Sequence, residues 1–452
     1  MSAFDKAIPF TKKFLVDECE IIFVKKKITT IRITDSEISE IKQVFNQGFC
    51  GRLIQGRKIS SFQTNNEKQL ENIMEKSLNT HACLKPKCFW KKLPSEDKYP
   101  TIKKTRDRKL EDVSGNLSTD IAHEMINSAL DEKINTVSGS LNIISEHFEI
   151  SNSSGLEVSD DGTYIAGLIN VESELGETPV SGIGQYGCRM LNGFSPEKIG
   201  QDAKKMCIDS INPRKCDDEK YSIIFEPYSV GELLAFVMAP NFHSKVVTER
   251  KSCFSNYLQN KIASEEFNLI DDPHVPDGIG SKAFDDEGVK TRINHIVEKG
   301  MFKSTFSNLF DSFKDDTEST GNASRATSMM GRGLEAIPFS APHNMLIKSG
   351  DVSEEEMIKE TKRGLIIGRL WYTYSINPIV GDFSCTARSG IKMIKNGEIT
   401  HPVKPVRIIH NLPILLQSIS QIGNNPRKVM QWASLPSITP SIRAENIKIS
   451  PI

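Results

Sequence analysis

The residues best suited to chemistry lie together in one short stretch of the chain, between positions 271 and 292. Carboxylates alternate there with glycines and prolines, and oxygen-rich clusters of this kind can hold a hard cation such as Ca²⁺ or Mg²⁺. The spacing of the acids fits no calcium-binding loop, so we expect them to cap turns and to remain in contact with solvent. These carboxylates are Asp271, Asp272, Asp277, Asp285, Asp286 and Glu287.

The same stretch is predicted to form a tight turn. Pro273 and Pro276 each remove a backbone N–H donor and therefore exclude a helix. Glycine tolerates positive φ, so the chain can reverse here and leave as a strand at Val289. We expect the glycines of the turn to adopt backbone conformations that are strained for any residue with a Cβ. They are Gly278, Gly280 and Gly288.

Histidine and cysteine side chains supply weaker alternatives. Four of them lie in the last region and could converge on a metal, although no two stand at ligand spacing on a shared element. One of the four, the cysteine of GDFSCTARSG, could instead act as a nucleophile, but a cysteine on a strand is usually packed as a small apolar residue. The four residues are His243, Cys253, His274 and Cys385.

Composition excludes several classes of function. The chain has 452 residues, with 57 Lys plus Arg against 58 Asp plus Glu, and therefore a net charge of −1. No overall field attracts nucleic acid or an anionic membrane. The chain starts MSAFDKAIPF without an apolar signal segment and contains no run of about eighteen apolar residues, so we expect a cytoplasmic protein that contacts neither membrane nor nucleic acid. Its nine cysteines are predicted to be free thiols.

Periodicity predicts an α+β fold of several domains, with mostly antiparallel sheets and flanking helices. We expect an N-terminal α+β domain over residues 1–92, a linker over 93–108, a middle α+β domain over 109–219 and a C-terminal domain over 220–452. In the first domain, alternating segments precede an amphipathic helix near residues 67–84.

In the middle domain, a helix is predicted to begin at Ser118 or Thr119, and a further antiparallel sheet follows it. Turn signals at 153–155 and 160–162 divide that sheet, and a closing helix spans about 196–211.

In the last domain, a buried strand at 221–227 is followed by an apolar helix at 228–239 and an amphipathic helix at 252–263. Ser353 and Glu356 predict a capping box, and Asn396-Gly397 predicts a type I′ hairpin turn.

The chain resembles the TldD/PmbA family over nearly its whole length. The resemblance depends on DPHVPDGIGSKAFDDEGVKTR, STGNA, NPIVGDFSCTARSG and the closing PVRIIHNL, in that order. It implies a subunit of a heteromeric zinc peptidase that acts on unfolded or small peptides. In that family the TldD-like subunit carries the zinc, and the PmbA-like (TldE) subunit completes the chamber.

The metal motif of the peptidase half of the family is absent from this sequence. The resemblance implies His-Glu-x-x-x-His on the helix after the first strand of the last domain, and a late cysteine. The helix at 228–239 contains Glu232 and no histidine, and no cysteine follows residue 385. Residues expected to replace the ligands are Leu233, Leu234, Phe236 and Val237.

We therefore predict a PmbA/TldE-type subunit with no catalytic residue, metal or cofactor of its own, whose zinc is supplied by a TldD-like partner. Two alternatives stay open. The chain could be an active metallopeptidase with a different ligand set, or a thiol enzyme that uses Cys385. A homodimer in the absence of the partner also stays open.

A peptide substrate is expected to bind by strand addition, because backbone hydrogen bonds give affinity without demanding a sequence. The edges predicted for this role are the strand at 289–297 and the strand after Gly381. The residues expected to line the groove are Val289, Thr291, Ile293, Asp382, Ser384 and Cys385.

Overall fold

The computed structural model describes residues 7–326, 330–430 and 435–452. It confirms the α+β fold with mostly antiparallel sheets and flanking helices. Two six-stranded sheets, one eight-stranded sheet and one two-stranded sheet make up the strands of this described part of the chain. None of the helices within these residues has the length and apolar composition needed to cross a bilayer.

The first sheet combines strands from the first and middle regions, in the order β3-β2-β1-β4-β5-β6. These strands are β1 (Glu18–Thr34), β2 (Glu37–Gln55), β3 (Lys58–Thr64), β4 (Thr136–Asn152), β5 (Glu157–Ser173) and β6 (Val180–Cys188). β1 pairs with β4 from Glu20 to Ile33, so the expectation of a separate second sheet is wrong. Local periodicity cannot reveal a pairing between segments so distant in sequence.

Five helices accompany this sheet. They are α1 (Ala7–Phe14), α2 (Leu70–Asn79), α3 (Arg108–Glu111), α4 (Gly115–Ala129) and α5 (Pro196–Ile208). The apolar faces of α4 and α5 pack on the sheet and on each other. α4 begins earlier than predicted, because Ser114 is its N-cap and accepts a hydrogen bond from Leu117 N at 3.2 Å.

The turn predicted at 160–162 and the linker predicted over 93–108 differ from the structure. Residues 160–162 lie inside β5 and form no turn, because Asp161 pairs across the sheet with His147. Residues 93–107 contain no helix or strand but are not detached, since Leu93 is fully buried and Tyr99 Oη donates a hydrogen bond to Gly288 O at 2.9 Å. The domain boundaries themselves stay predictions.

The last region is built around one large hydrophobic core that two sheets share. Its strands are β7 (Lys220–Phe225), β8 (Leu269–Asp271), β9 (Asn294–Glu298), β10 (Met301–Phe302), β11 (Ala323–Ser324), β12 (Phe339–Ser340), β13 (Met345–Ile347), β14 (Arg363–Asn377), β15 (Asp382–Lys395), β16 (Glu398–Pro402), β17 (Val406–Asn411), β18 (Ile419–Ile422), β19 (Arg427–Met430), β20 (Pro436–Thr439), β21 (Ile442–Lys448) and β22 (Ser450–Pro451). One sheet has the order β18-β21-β7-β14-β15-β17-β22, with β16 beside β15, and the other has the order β10-β9-β8-β13-β20-β19.

Short helices connect these strands. They are α6 (Pro227–Leu233), α7 (Ser244–Thr248), α8 (Leu309–Lys314), α9 (Glu354–Glu360) and α10 (Leu412–Gln417). α6 continues as a π-helical turn over Leu234–Met238 and a 3₁₀ turn over Ala239–Phe242, which confirms a helix after the buried strand β7.

Two predictions from local sequence signals in the last region are confirmed, and one is wrong. The Ser353–Glu356 capping box is confirmed, and so is the hairpin at Asn396-Gly397, where φ is 50° and 84°. The helix predicted over 252–263 is wrong, because Ser252 bonds the backbone of Phe254 and of Asn241 and holds the segment in turns.

The strand predicted from Val289 begins only at Asn294.

Candidate functional site

Four of the six acids are buried, contrary to the expectation that they stay solvated, while Asp272 and Asp277 are half-buried. Asp285 accepts three backbone hydrogen bonds, from the N–H groups of Glu287, Val289 and Ala323, each at 2.9 Å. These bonds hold the turn closed and join it to β11. Burial and the nearby charge of Glu287 raise the pKa of Asp285 to about 8, while the three N–H donors favour its ionised form.

Asp286 binds cations of the chain itself. Its carboxylate lies 3.1 Å from Lys282 Nζ and 2.6 Å from Arg332 Nη1, and it accepts the Arg325 N–H at 2.8 Å. Burial acts to raise the pKa of Asp286, but the charges of Lys282 and Arg332 outweigh burial and hold the pKa well below its usual range. Asp286 is therefore ionised and fully paired.

Glu287 joins the turn to the first sheet. Its carboxylate lies 2.6 Å from Arg52 Nη1, and Arg52 also binds Glu20 through two bonds of 2.7 and 3.1 Å. Arg325 donates to the same Glu20 from the other side. Six charged residues that are at most 3% exposed form an ionic junction: Glu20, Arg52, Asp286, Glu287, Arg325 and Arg332.

The junction changes the interpretation of the turn. A cation site needs free carboxylate oxygens, whereas those of Asp285, Asp286 and Glu287 already bind N–H groups or cationic side chains. The acidic run therefore connects β1 and β2 to the last region.

Only one of the three glycines has the predicted positive φ. Gly288 has a φ of 80°, and in the other half of the turn Asp277, not Gly278, adopts a positive φ of 62°. Gly280 is required for space, because a Cβ there would lie 2.0 Å from the carbonyl oxygen of His343. A Cβ at Gly278 would lie 2.5 Å from Ser281 Oγ.

A cavity of about 310 Å³ lies between this turn and the helix that begins with α6. The helix contributes Ala235, Ala239 and Pro240 to the cavity wall, and the turn contributes Gly280 and Lys282. Proline lacks an N–H and its ring clashes with the carbonyl four residues earlier, so the wide π turn before Pro240 has a local cause.

The π turn decides which residues could hold a metal. Its bonds run from residue i to i+5, so side chains five apart share one face, and that is the spacing of the two histidines in His-Glu-x-x-x-His. The pair at this spacing on the cavity wall is Ala235 and Pro240. Neither has a donor atom, so this face of the helix offers no ligand to a metal.

The residues predicted to replace the ligands face elsewhere. Those fully buried in the hydrophobic core are Leu233, Leu234 and Val237, and Phe236 packs against it. Glu232 points toward β14, where Thr373 Oγ1 donates to its carboxylate at 3.1 Å. Burial raises the pKa of Glu232 to about 7.

Two histidines line the cavity, His243 and His343. His343 Nδ1 lies 3.2 Å from Asp271 Oδ2 and 3.1 Å from Asn322 Nδ2, so this ring nitrogen is engaged. His243 stacks edge-on against Phe306, and burial lowers its pKa to about 4. Across the described residues, no three His, Cys, Asp or Glu side chains are grouped to hold a metal ion.

The residues predicted for the substrate groove are not brought together. Val289 and Thr291 line a surface trough beside residues 91–97, and Ile293 is exposed. Asp382, Ser384 and Cys385 lie on β15, whereas residues 289–293 belong to none of the named strands.

β15 has no free edge at these positions, because it pairs with β14 on one side and with β17 on the other. β9 pairs with β8 from Asn294 to Val297, and with β10 only at Val297 and Glu298. The predicted edge after Gly381 is therefore covered at the groove residues, whereas strand addition at 289–297 stays a prediction.

The ionic junction was missed at the sequence level. Glu20 and Arg52 stand inside apolar strand segments, CEIIF and FCGRLI, and a lone charge in such a segment is a signal of a buried pair. Arg325 and Arg332 carry no comparable signal, because they lie outside any apolar pattern.

The fold and the turn define the class of protein. Residues 218–451 match the PmbA/TldA metallopeptidase C-terminal domain, and residues 108–210 match the corresponding central domain. The chain therefore belongs to the TldD/PmbA family, whose members are metallopeptidase-like.

Particular relatives cover different shares of the chain. The structure of TldE from Thermococcus kodakarensis superposes with a TM-score of 0.88 at 25% identity and covers 98% of both chains. A metalloprotease of Methanocaldococcus jannaschii is 26% identical over 83% of this chain and 82% of its own length. The metalloprotease PmbA of Escherichia coli O157:H7 is 28% identical over 51% of this chain and 47% of its own length.

Proposed function

We propose that this chain is a TldE-like subunit of a TldD/TldE-type peptidase complex and has no zinc site of its own. The zinc would be held by a TldD-like partner with His-Glu-x-x-x-His, and the substrates would be unfolded or small peptides in the cytoplasm. The observation that carries the proposal is the cavity wall, where Ala235 and Pro240 stand at the five-residue spacing of the metal-binding histidines.

The rest of the cavity supports the same conclusion. A catalytic zinc needs three protein ligands on rigid elements. Among the described residues the wall supplies two imidazoles, His243 and His343, and no group of three His, Cys, Asp or Glu side chains that could hold a metal.

The first experiment measures metal content and activity of the purified chain alone. We expect no stoichiometric zinc by elemental analysis and no cleavage of unstructured peptides. Finding about one tightly held zinc per chain, with chelator-sensitive cleavage, would sink the proposal.

A second candidate is a metallopeptidase with a different ligand set, favoured only by the presence of His243 and His343 on one cavity. The variants His243→Ala and His343→Ala distinguish it, since zinc and activity would then both be lost. His123→Ala on the exposed face of α4 is the matched control, because that histidine lies outside the cavity.

The thiol alternative has little physical support. Cys385 is fully buried, and burial raises the pKa of its thiol, whereas a nucleophilic cysteine needs a lowered pKa and access for substrate.

The second experiment tests the partner. The chain is co-expressed with a relative from the same organism that contains His-Glu-x-x-x-His, and the mixture is analysed by size-exclusion chromatography and peptide cleavage. We expect co-elution and faster cleavage than by the relative alone. The subunit role is excluded when the two never co-elute and the relative cleaves equally well without this chain.

A further inference from the structure

A cavity distinct from the one beside the glycine-rich turn lies where α5 of the middle region meets the last region. This α5 cavity has a volume of about 300 Å³ and is lined by α5, by the starts of α6 and α9, by β15 and by the turn that leads into β19. Ligand sites commonly measure about 300–1,000 Å³. The α5 cavity is therefore of a size for a small molecule.

The charges on the wall of the α5 cavity do not balance. Three cationic side chains face five carboxylates among the described residues. Each cation already binds a carboxylate: Lys205 and Lys392 both bind Asp209, at 2.7 and 2.8 Å. Arg427 binds Asp202 at 2.8 Å. The acids of the wall that have no cationic partner in the described part of the chain are Glu226, Glu354 and Glu355.

Glu226 is the most isolated of these acids. Although it is the N-cap of α6, its side chain bonds no N–H of the helix, and its carboxylate has no hydrogen bond or ion pair with any described residue. A Cβ at Gly368 of β14 would lie 2.9 Å from Glu226 Oε2, so this glycine leaves the space in which the half-buried carboxylate sits. Burial and the nearby charge of Glu354 raise the pKa of Glu226 to about 7.

Glu354 brings a second incompletely used carboxylate to the α5 cavity. Asn425 Nδ2 and Ser441 Oγ donate to its Oε2, at 3.1 and 2.8 Å, and its Oε1 has no partner within the described residues. Two nearby carboxylates without a cation repel each other, and a cation bound between them would remove that repulsion.

We propose that the α5 cavity binds a primary alkylammonium, whose NH₃⁺ group lies between Glu226 and Glu354. An ammonium carries three donors and can bond both carboxylates at once. Met206 and Pro227 on the same wall supply apolar surface for its carbon chain. A diamine fits best, because the wall has five carboxylates against three cations.

A metal ion fits the same wall less well, because none of the described residues forms a group of three His, Cys, Asp or Glu side chains that could hold one. The ammonium site does not depend on the subunit role proposed above, since no residue of its wall lines the cavity beside the glycine-rich turn.

The first test is calorimetric titration of the full chain with 1,5-diaminopentane at pH 8. We expect saturable binding, and Glu226→Gln should raise the dissociation constant about tenfold or more, because it removes the charge that the ammonium contacts. This variant should fold, since it removes a carboxylate that has no partner, and its urea unfolding without ligand checks that it does. Glu132→Gln is the matched control, because Glu132 is an exposed carboxylate outside the cavity.

The second test measures the same binding as a function of pH. The charged groups that act on Glu226 are Glu354 on α9, Lys205 on α5, Lys392 on β15 and Arg427 on β19. With a pKa of about 7, Glu226 is mostly ionised at pH 8 and mostly protonated at pH 6. The affinity of wild type for 1,5-diaminopentane should therefore fall about tenfold from pH 8 to pH 6, and that of Glu226→Gln should stay nearly constant.

Absence of saturable binding to wild type overturns the proposal. Equal affinities of wild type and Glu226→Gln also overturn it, and so does an equal affinity of wild type at pH 6 and pH 8. The uncharged analogue 1,5-pentanediol should not bind, and binding as tight as that of the diamine would show that the carboxylates play no part.

Discussion

Removing Arg52 from the ionic junction should destabilise the protein strongly. In Arg52→Met the carboxylate of Glu20 keeps Arg325, but Glu287 keeps, among the described residues, only the Leu309 N–H at 2.8 Å. Breaking a buried pair from one side costs about 3–5 kcal/mol, because an uncompensated charge remains in a region of low dielectric constant. We expect a loss of that size in the free energy of unfolding at pH 8.

The loss should shrink as the pH falls. Burial already raises the pKa of Glu287, and removal of Arg52 raises it further. A group whose pKa is raised in the folded state contributes stability that is complete below its unfolded pKa and is lost as the pH rises through the folded pKa. Protonated Glu287 carries no charge, so Arg52→Met is expected to be closer to wild type at pH 5 than at pH 8.

Urea unfolding at a series of pH values measures this effect. Trp90, whose ring lies 5.5 Å from the Arg52 guanidinium, reports on the junction by fluorescence. Arg106→Met is the matched control, because Arg106 also binds two carboxylates, Glu111 at 2.5 Å and Asp161 at 2.9 Å, but is 49% exposed. It should cost about 0–1 kcal/mol. Equal losses for the two variants, or a loss in Arg52→Met that does not depend on pH, would refute the reasoning.

Three further outcomes are expected. Gly280→Ala should lower the free energy of unfolding by about 1–3 kcal/mol, because the new Cβ clashes with the carbonyl oxygen of His343. Gly115→Ala should raise it by up to about 1 kcal/mol, because the space around Gly115 is open. Equal urea midpoints for the two variants would contradict this. As the pH rises from 5 to 7.5, wild type should lose up to about 3 kcal/mol more of its free energy of unfolding than Glu232→Gln does. The pKa of Glu232 is raised to about 7, so the protonated side chain stabilises the folded state only at lower pH. Parallel pH profiles for the two proteins would contradict this. In the native state an alkylating reagent should modify the exposed thiols of Cys83 and Cys88 and leave Cys385 unmodified, as mass spectrometry can measure; rapid labelling of Cys385 would show that its strand opens.

Elements set by neighbouring residues could be predicted from the sequence. The capping box of α9 and the hairpin turn at Asn396-Gly397 each depend on a few adjacent side chains. The predicted helix over 252–263 was wrong because Ser252 engages the backbone, and apolar spacing does not record that competition. The pairing of β1 with β4 was missed because no local pattern encodes a partner so far along the chain.

In the candidate site, too, local features could be predicted from the sequence and features set by distant residues could not. The apolar character of the helix after β7 was visible in the sequence, but the residues on the cavity wall were not, since the π turn before Pro240 changes the angular spacing of the side chains. The acids of the glycine-rich turn were recognised as a cluster. Their burial depends on Arg52, 235 residues from its partner Glu287, and could not be inferred from spacing.

The 235 residues between Arg52 and Glu287 separate the two in time during synthesis. A ribosome adds about 5–20 residues each second, so Glu287 follows Arg52 out of the peptidyl-transferase centre by roughly 10–50 s. During this interval Arg52 and Glu20 can neutralise each other on the newly formed β1–β2 hairpin, but the surface that receives the glycine-rich turn stays uncovered. Chaperone binding would therefore matter most while the first sheet has emerged from the ribosome and the glycine-rich turn has not.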